Sequence, residues 1–378
     1  MNQLTMPIIF MLCSVYIEAL VLKIVKKKHI NWLDIMFNLN SGHIVLWFFR
    51  GLEILCYALV YQYCSLNLFA HVPVIFAWIF AFIAWDFCFY WQHRLLHTFR
   101  LLYAVHIVHH QGEHFNLSLA VRNSWYSSLL SAVLNIVLAF IGVSTEIFLT
   151  VSIFHYSIQF FNHNDVTPKL GILEKIFVTP NHHRVHHIND RHYSNRNFGG
   201  SFIIWDKLFG SFAVMPAGKV SYGSPGIKTQ NPLLASNYPF MQLLNISFVP
   251  AAPTKKWVFS SFLLTLGGIL LFALTIAYVY KYAYGMTNIT FSQYTLFGFL
   301  AAGTIFLGAM AEGRIWGLIG WTILTLSMPV VFLYLFDWPQ LYWQVIIWLL
   351  TIHGVVILLY TLINGHKTTI PCAKQASS

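Results

Sequence analysis

The sequence predicts an all-α, polytopic transmembrane bundle of about seven to nine hydrophobic helices, with a cytosolic helical cap carrying a histidine-rich di-metal site. Three observations predict it. Of 378 residues, 57% are hydrophobic and 9% charged, with a mean hydropathy of +0.64, whereas an ordinary soluble domain is about 25% charged. Apolar runs long enough to cross a bilayer recur along the chain. Histidines cluster between positions 93 and 192 instead of scattering.

A soluble fold of this length needs a charged shell that these residues cannot supply, and a bilayer removes the need. Aromatic residues make up 17% of the chain, and many Trp and Tyr stand near the ends of apolar runs, where amphipathic rings favour the interface. The net charge of +10 is no nucleic-acid footprint, because the basic residues flank apolar runs rather than forming one stripe. Five scattered Cys without a CxxC pair exclude a disulfide framework and a thiolate metal site. The first apolar run has no basic n-region before it and no small-residue cleavage site, so it reads as a retained span.

A helix crossing about 30 Å of hydrocarbon needs about 20 mostly apolar residues. Spans are expected over 6–25, 43–64, 72–91, 125–143, 145–162, 257–280, 291–311, 315–336 and 342–363. The fourth and fifth almost touch and read as a tight hairpin that need not cross fully. Lys26, Lys27 and Lys28 put the end of the first span in the cytosol. Arg94, Arg100 and the basic residues of 164–256 then fall on the same side, as do Arg314, Lys367 and Lys374. Three regions follow: an N-terminal anchor with a basic cytosolic loop (1–40), a core with a cytosolic cap (41–256), and C-terminal helices with a short tail (257–378). The five prolines of 217–256 read as irregular chain on the membrane surface.

Thirteen of the 18 His lie between His93 and His192. His93 and His97 form HxxxH at the cytosolic end of the third span. His106, His109 and His110 form HxxHH soon after, and His183, His186 and His187 form a second HxxHH further on. Residues at i, i+3 and i+4 share a helix face, so each box converges imidazoles. Imidazole suits Zn, Cu, Fe and Ni. Eight donors exceed what one four-coordinate ion needs, so two metals are expected. A zinc hydrolase usually needs three protein ligands and a carboxylate base; a carboxylate-poor, all-histidine site beneath a lipid-facing cavity suits iron and O2 better. His114, His155, His182 and His192 are weaker candidates, and a lone apolar-span histidine such as His353 reads as a packing residue.

At these residues the chain resembles the fatty acid hydroxylase/sterol desaturase superfamily of membrane di-iron enzymes. The stretches DFCFYWQHRLLH, HIVHHQGEHFNLSLAVR, NHNDVTPKLGILEKIFVTPNHHRVHH and NFGGSFIIWDKLFGSF resemble its alkylglycerol monooxygenase-like branch, over about 80–225. The resemblance implies that His93, His97, His106, His109, His110, His183, His186 and His187 hold iron, with His163 as a ninth ligand. It implies that Asp86 orients an imidazole N–H, that Glu113, Asn116 and Arg122 line or support the active site, and that Trp205 and Asp206 stabilise the cap. Thr98 departs from the pattern, since that branch carries Glu there. The implied electron donor is therefore either tetrahydrobiopterin or a separate cytochrome b5-type or ferredoxin-type carrier.

The expected function is oxidation of a bilayer lipid (glyceryl ether, fatty acyl or sterol) by O2, as hydroxylation or desaturation. The expected location is the bacterial inner membrane, or the endoplasmic reticulum in a eukaryote, with the site facing the cytosol and no nucleic-acid partner. A membrane zinc hydrolase would need neither O2 nor reductant. A metal transporter would place its ionisable residues near the midplane, whereas these boxes stand at span ends.

Overall fold

The computed structural model describes residues 5–41, 43–246, 255–283, 289–365 and 367–369. Pro250, Pro253, Cys372 and Lys374 lie outside the described residues. The fold is helical as expected. In chain order the helices are α1 (Thr5–Ile24), α2 (Trp32–Asn40), α3 (His43–Cys64), α4 (Val74–Thr98), α5 (Arg100–His110), α6 (Ser127–Ile141), α7 (Thr145–Asn162), α8 (Pro180–His186), α9 (Arg191–Ser194), α10 (Ile204–Leu208), α11 (Pro232–Leu243), α12 (Ser261–Tyr282), α13 (Phe291–Ala311), α14 (Ile315–Met328) and α15 (Leu341–Asn364). One antiparallel strand pair, β1 (Lys255–Trp257) with β2 (Lys367–Thr369), is the small exception to an all-helical fold.

Among the described residues six helices are long and apolar enough to cross a membrane: α1, α4, α12, α13, α14 with its continuation to Leu335, and α15. They mark a multi-pass membrane protein. The other three expected segments are α3, which carries a buried Arg50–Glu53 pair, and the α6–α7 hairpin. At 15 residues, α6 rises only about 22 Å, so this arm falls short of the hydrocarbon thickness. Gly142 (φ +121°) closes α6, and a Cβ there would stand 2.8 Å from the Leu68 backbone nitrogen. The backbone N–H groups of Leu66 and Leu68 donate to Phe140 and Ile141, so the hairpin turn lies beside the α3–α4 turn.

Two expectations shift. The third span does not stop near residue 91: α4 runs to Thr98, so His93 and His97 stand on an unbroken helix. The segment 217–256 is not all irregular, because Asn231 caps α11 by accepting from Leu233 and Leu234, and Pro232 opens the helix. Proline at the first helical position starts a helix instead of breaking it.

Packing explains the polar residues inside the spans. Ala77 and Ala81 of α4 leave room for Trp85, Tyr57 and Phe148 to close a core around the hairpin, the last two rings stacked at 3.9 Å. Glu53 also accepts from Asn135, and Arg50 donates to Ser152, so the buried charges tie α3 to both arms. At the C-terminal end Pro329 removes one backbone N–H and pushes α14 into a π-turn over Pro329–Leu335. The carbonyl of Thr325, four residues earlier, instead accepts from Thr351 Oγ1 of α15 at 2.9 Å. His353 is a satisfied packing residue, with Trp321 Nε1 donating to its Nδ1 and its Nε2 donating to the Leu263 carbonyl.

α1 packs against α12 and reaches the cap. Its buried Glu18 accepts the backbone N–H of Leu117 at 2.6 Å and of Asp165 at 2.7 Å, and Lys28 pairs with the Asp165 carboxylate. One carboxylate thus pins the two turns that flank the histidine-bearing elements.

Breaking the Arg50–Glu53 pair is expected to be costly. Glu53→Ala leaves an uncompensated buried guanidinium and should destabilise by about 3–5 kcal/mol, while joint replacement of both residues by apolar ones should recover most of it. Thermal unfolding of the purified protein in one detergent checks both.

Candidate metal centre

The first box lies on the C-terminal end of α4, the second on α5, and the third on α8 and its C-cap. His163 is the C-cap of α7, which aims it at the same place. Together the nine predicted histidines form two groups, each with one nitrogen per residue within 4.8 Å of the others: His93, His97, His106, His110 and His186, and His109, His163, His183 and His187. The groups adjoin, with the His110 and His187 rings stacked at 4.5 Å.

Each HxxHH box is divided between the groups. On α5, His106 and His110 (i, i+4) point to the first group and His109 to the second. On α8, His183 and His187 (i, i+4) join the second group and His186 the first. The spacing that suggested convergence on one point supports two points, and each box braces both.

Tautomers follow from the backbone, since a carbonyl can only accept. Nδ1 of His93 donates to Phe198, of His109 to Arg122, of His163 to Gln159 and of His186 to Arg196, at 2.7–3.0 Å. Each of these rings therefore presents a lone pair on Nε2. The Nε2 atoms of His109 and His163 lie 3.0 Å apart, and two lone pairs at that distance repel. Further Nε2 pairs, His93 with His106 and His163 with His183, lie at 3.1 and 3.0 Å. His186 Nε2 and both His97 nitrogens have no hydrogen bond. A cation accepting the convergent lone pairs resolves this geometry, and the residues fit metal binding. Burial drives His106, His110, His183, His186 and His187 well below the ordinary imidazole range, and His109 to about 4, with neighbouring histidines adding to the effect for all of these but His109. The rings are thus neutral, as ligands must be.

The other predicted residues separate. Asp86 orients an imidazole, but that of His155 (2.6 Å), which is outside both groups. Its carboxylate also accepts from the backbone of Ser201 and Phe202 and from Trp205 Nε1. Gly200 is required here, because a Cβ would stand 2.3 Å from His155 Nε2 and 2.8 Å from Asp86 Oδ1. Asp206 accepts from the backbone of Phe198 and Gly199 and from Ser211, so Asp86, Trp205 and Asp206 fix the turn whose Phe198 carbonyl orients His93. Arg122 is buried, donates to the Val108 carbonyl and Asn38, and orients His109 through its own carbonyl. Asn116 caps the short 3-10 turn Leu117–Val121. Glu113 is exposed and pairs with Lys228, outside both histidine groups. His114 and His192 are exposed, and His182 caps α8. The carbonyl orienters escaped sequence reasoning because every residue has a carbonyl. Glu18 could have been found, as an acidic residue inside an apolar span asks for a partner.

The long apolar helices mark a multi-pass membrane protein, and its buried, convergent histidines fit a metal site. Residues 78–211 match the model of the fatty acid hydroxylase family. The chain is 37% identical over 177 residues to alkylglycerol monooxygenase of Homo sapiens, covering 47% of this chain and 39% of that protein. It is 39% identical over 146 residues to the Danio rerio enzyme (39% and 32%), and 30% over 141 residues to ornithine lipid hydroxylase OlsE of Rhizobium tropici (37% and 43%). This segment is thus similar to a fatty acid hydroxylase domain, and alkylglycerol monooxygenases are among its relatives. The chain spans less than half the length of the curated relatives it matches. No solved structure matches it.

Two outcomes are expected. Asp86→Ala leaves four donors unanswered and should destabilise by about 3–5 kcal/mol, read as a lower melting temperature with reduced metal retention. The metal-free protein should lose stability as pH falls from about 6.5 towards 4. The depressed folded-state pKa of His109 and its neighbours makes the unfolded chain take up more protons over that window. Melting temperature against pH checks the sign.

Proposed function

We propose that the chain is an integral membrane oxygenase that hydroxylates a lipid with O2 at two iron ions held by the nine histidines. The observation that supports this best is the pair of adjoining all-histidine groups within a fatty acid hydroxylase domain. Relatives named as an alkylglycerol monooxygenase and an ornithine lipid hydroxylase favour a lipid substrate and hydroxylation.

In balance, R–H, O2, two electrons and two protons give R–OH and water. Bound iron would supply the O2 reduction and the oxidant for the C–H bond. The protein's share is position and exclusion of water. His93, His97, His106, His110 and His186 hold one ion, and His109, His163, His183 and His187 the other. The carbonyls of Phe198, Arg122, Gln159 and Arg196 fix the tautomer and aim of four of these rings. Asp86 acts at one remove, through the turn that carries Phe198, and Asn116 and Arg122 support α5 and its exit. Glu113 remains a candidate lining residue at the rim, beside Lys228. The lipid enters from the bilayer, with its head towards the side that the Lys and Arg distribution assigns to the cytosol. Hydroxylation beside an ether oxygen would give a hemiacetal that collapses to an aldehyde and a glycerol. Electrons come from outside the chain, from tetrahydrobiopterin or a cytochrome b5-type or ferredoxin-type carrier. The membrane is the bacterial inner membrane or the endoplasmic reticulum.

Lipid analysis of cells expressing the wild type or His186→Ala, grown with and without oxygen, tests the reading. An oxidised lipid found only with the wild type and only in air is expected, together with about two irons per purified chain. Identical lipids in all four cultures overturn the oxygenase; oxygen-independent lipid cleavage by a zinc-loaded protein would favour a hydrolase.

A further inference from the structure

Beside the first histidine group a cavity of about 290 Å³ opens between the end of α4 and the segments 195–198 and 210–211. Arg94, Thr98, Asn195 and Arg196 line it, and His97 of the first group stands in its wall. The polar lining is two guanidiniums, an amide and hydroxyls, without a carboxylate. Neither arginine forms a salt bridge among the described residues. Arg94 Nη1 is pinned by Tyr90 Oη at 2.8 Å and the Phe209 carbonyl at 3.0 Å, and Arg196 Nη1 by the Gly210 carbonyl at 2.8 Å. Asp206, whose charge Arg94 feels, is already engaged by the backbone of Phe198 and Gly199 and by Ser211. The two positive charges are thus held in place by neutral acceptors, with no protein anion in the cavity to answer them.

We propose that this cavity is an anion site that binds a phosphate ester, holding it next to the first histidine group. Guanidinium forks match phosphate oxygens bidentately. Two of them approaching from separate elements suit a tetrahedral group with several oxygens better than a planar carboxylate with two. The volume accommodates a phosphate and its glycerol but not an acyl tail, which would have to remain outside. The inference deepens the lipid-oxygenase reading by naming the head-group chemistry. The binding itself does not depend on turnover.

The test uses the full-length purified protein in detergent and measures binding of sn-glycerol 3-phosphate, with glycerol as control, by calorimetry. Metal content and melting temperature are read in parallel. Saturable binding of the phosphate ester and none of glycerol is expected. Arg196→Gln should weaken binding about tenfold, the scale of one charge-assisted contact. Should Arg94→Gln fail to fold because Tyr90 and Phe209 lose their donor, Asn195→Asp serves instead. Asn195 is exposed, and the new carboxylate should abolish binding while melting stays normal. Native mass spectrometry after reconstitution in phosphatidylcholine vesicles with phosphatidate separates the two sources. A phosphatidate adduct displaced by glycerol 3-phosphate and lost in Arg196→Gln identifies a lipid head group, whereas glycerol 3-phosphate binding without an adduct identifies a soluble ester. No binding by either probe, or equal affinity in wild type, Arg196→Gln and Asn195→Asp, overturns the site. Normal metal content and lipid oxidation alongside that result would leave the oxygenase reading standing, so the two failures are distinguishable.

Discussion

Lone-pair convergence is the constraint on which the structure depends. Nine imidazoles are crowded into two adjoining buried groups, each neutral and several aimed nitrogen to nitrogen at about 3 Å. Without a cation such an arrangement is repulsive, so the surrounding fold must hold it. Four carbonyls from three segments set the ring tautomers. Helices α4, α5 and α8 set the directions, and α7 ends where its capping histidine completes the second group. The division of each HxxHH box between the groups lets two short helices brace both.

Much of this was legible in the sequence, because metal ligation needs few residue types at helical spacings. The boxes, their order and their neighbourhood at the end of a span followed from periodicity alone. His163 has no box around it and came only from resemblance. What spacing could not carry was three-dimensional interleaving: an i, i+4 pair shares a face, but which of two neighbouring points that face meets depends on how α5 and α8 cross. Asp86 illustrates another limit. Its role as an imidazole partner was expected, yet the ring it meets is His155, supplied by the hairpin 69 positions away. Periodicity located the spans, while proline was misread as a breaker at 232, where a preceding Asn cap turns it into a helix start.

Polar residues within the apolar helices follow one rule. Several answer a group that the bilayer would leave unsatisfied. Arg50 and Glu53 neutralise one another and recruit Asn135 and Ser152. Thr351 answers the carbonyl that Pro329 frees on α14, and His353 accepts from Trp321 while donating to Leu263. The same rule leaves Arg94 and Arg196 conspicuous, since their fixed charges face a cavity and not a protein anion.

Glu18 has a consequence for how the chain is built. During synthesis α1 precedes every histidine box, yet the two backbone amides that its carboxylate serves belong to Leu117 and Asp165. The first of these donors is 99 residues further along the chain and the second 147, so until then the carboxylate lacks its full native set. α1 is therefore a latch awaiting its keeper: the turns at Leu117 and Asp165 share an acceptor only once α1 and these later segments have met.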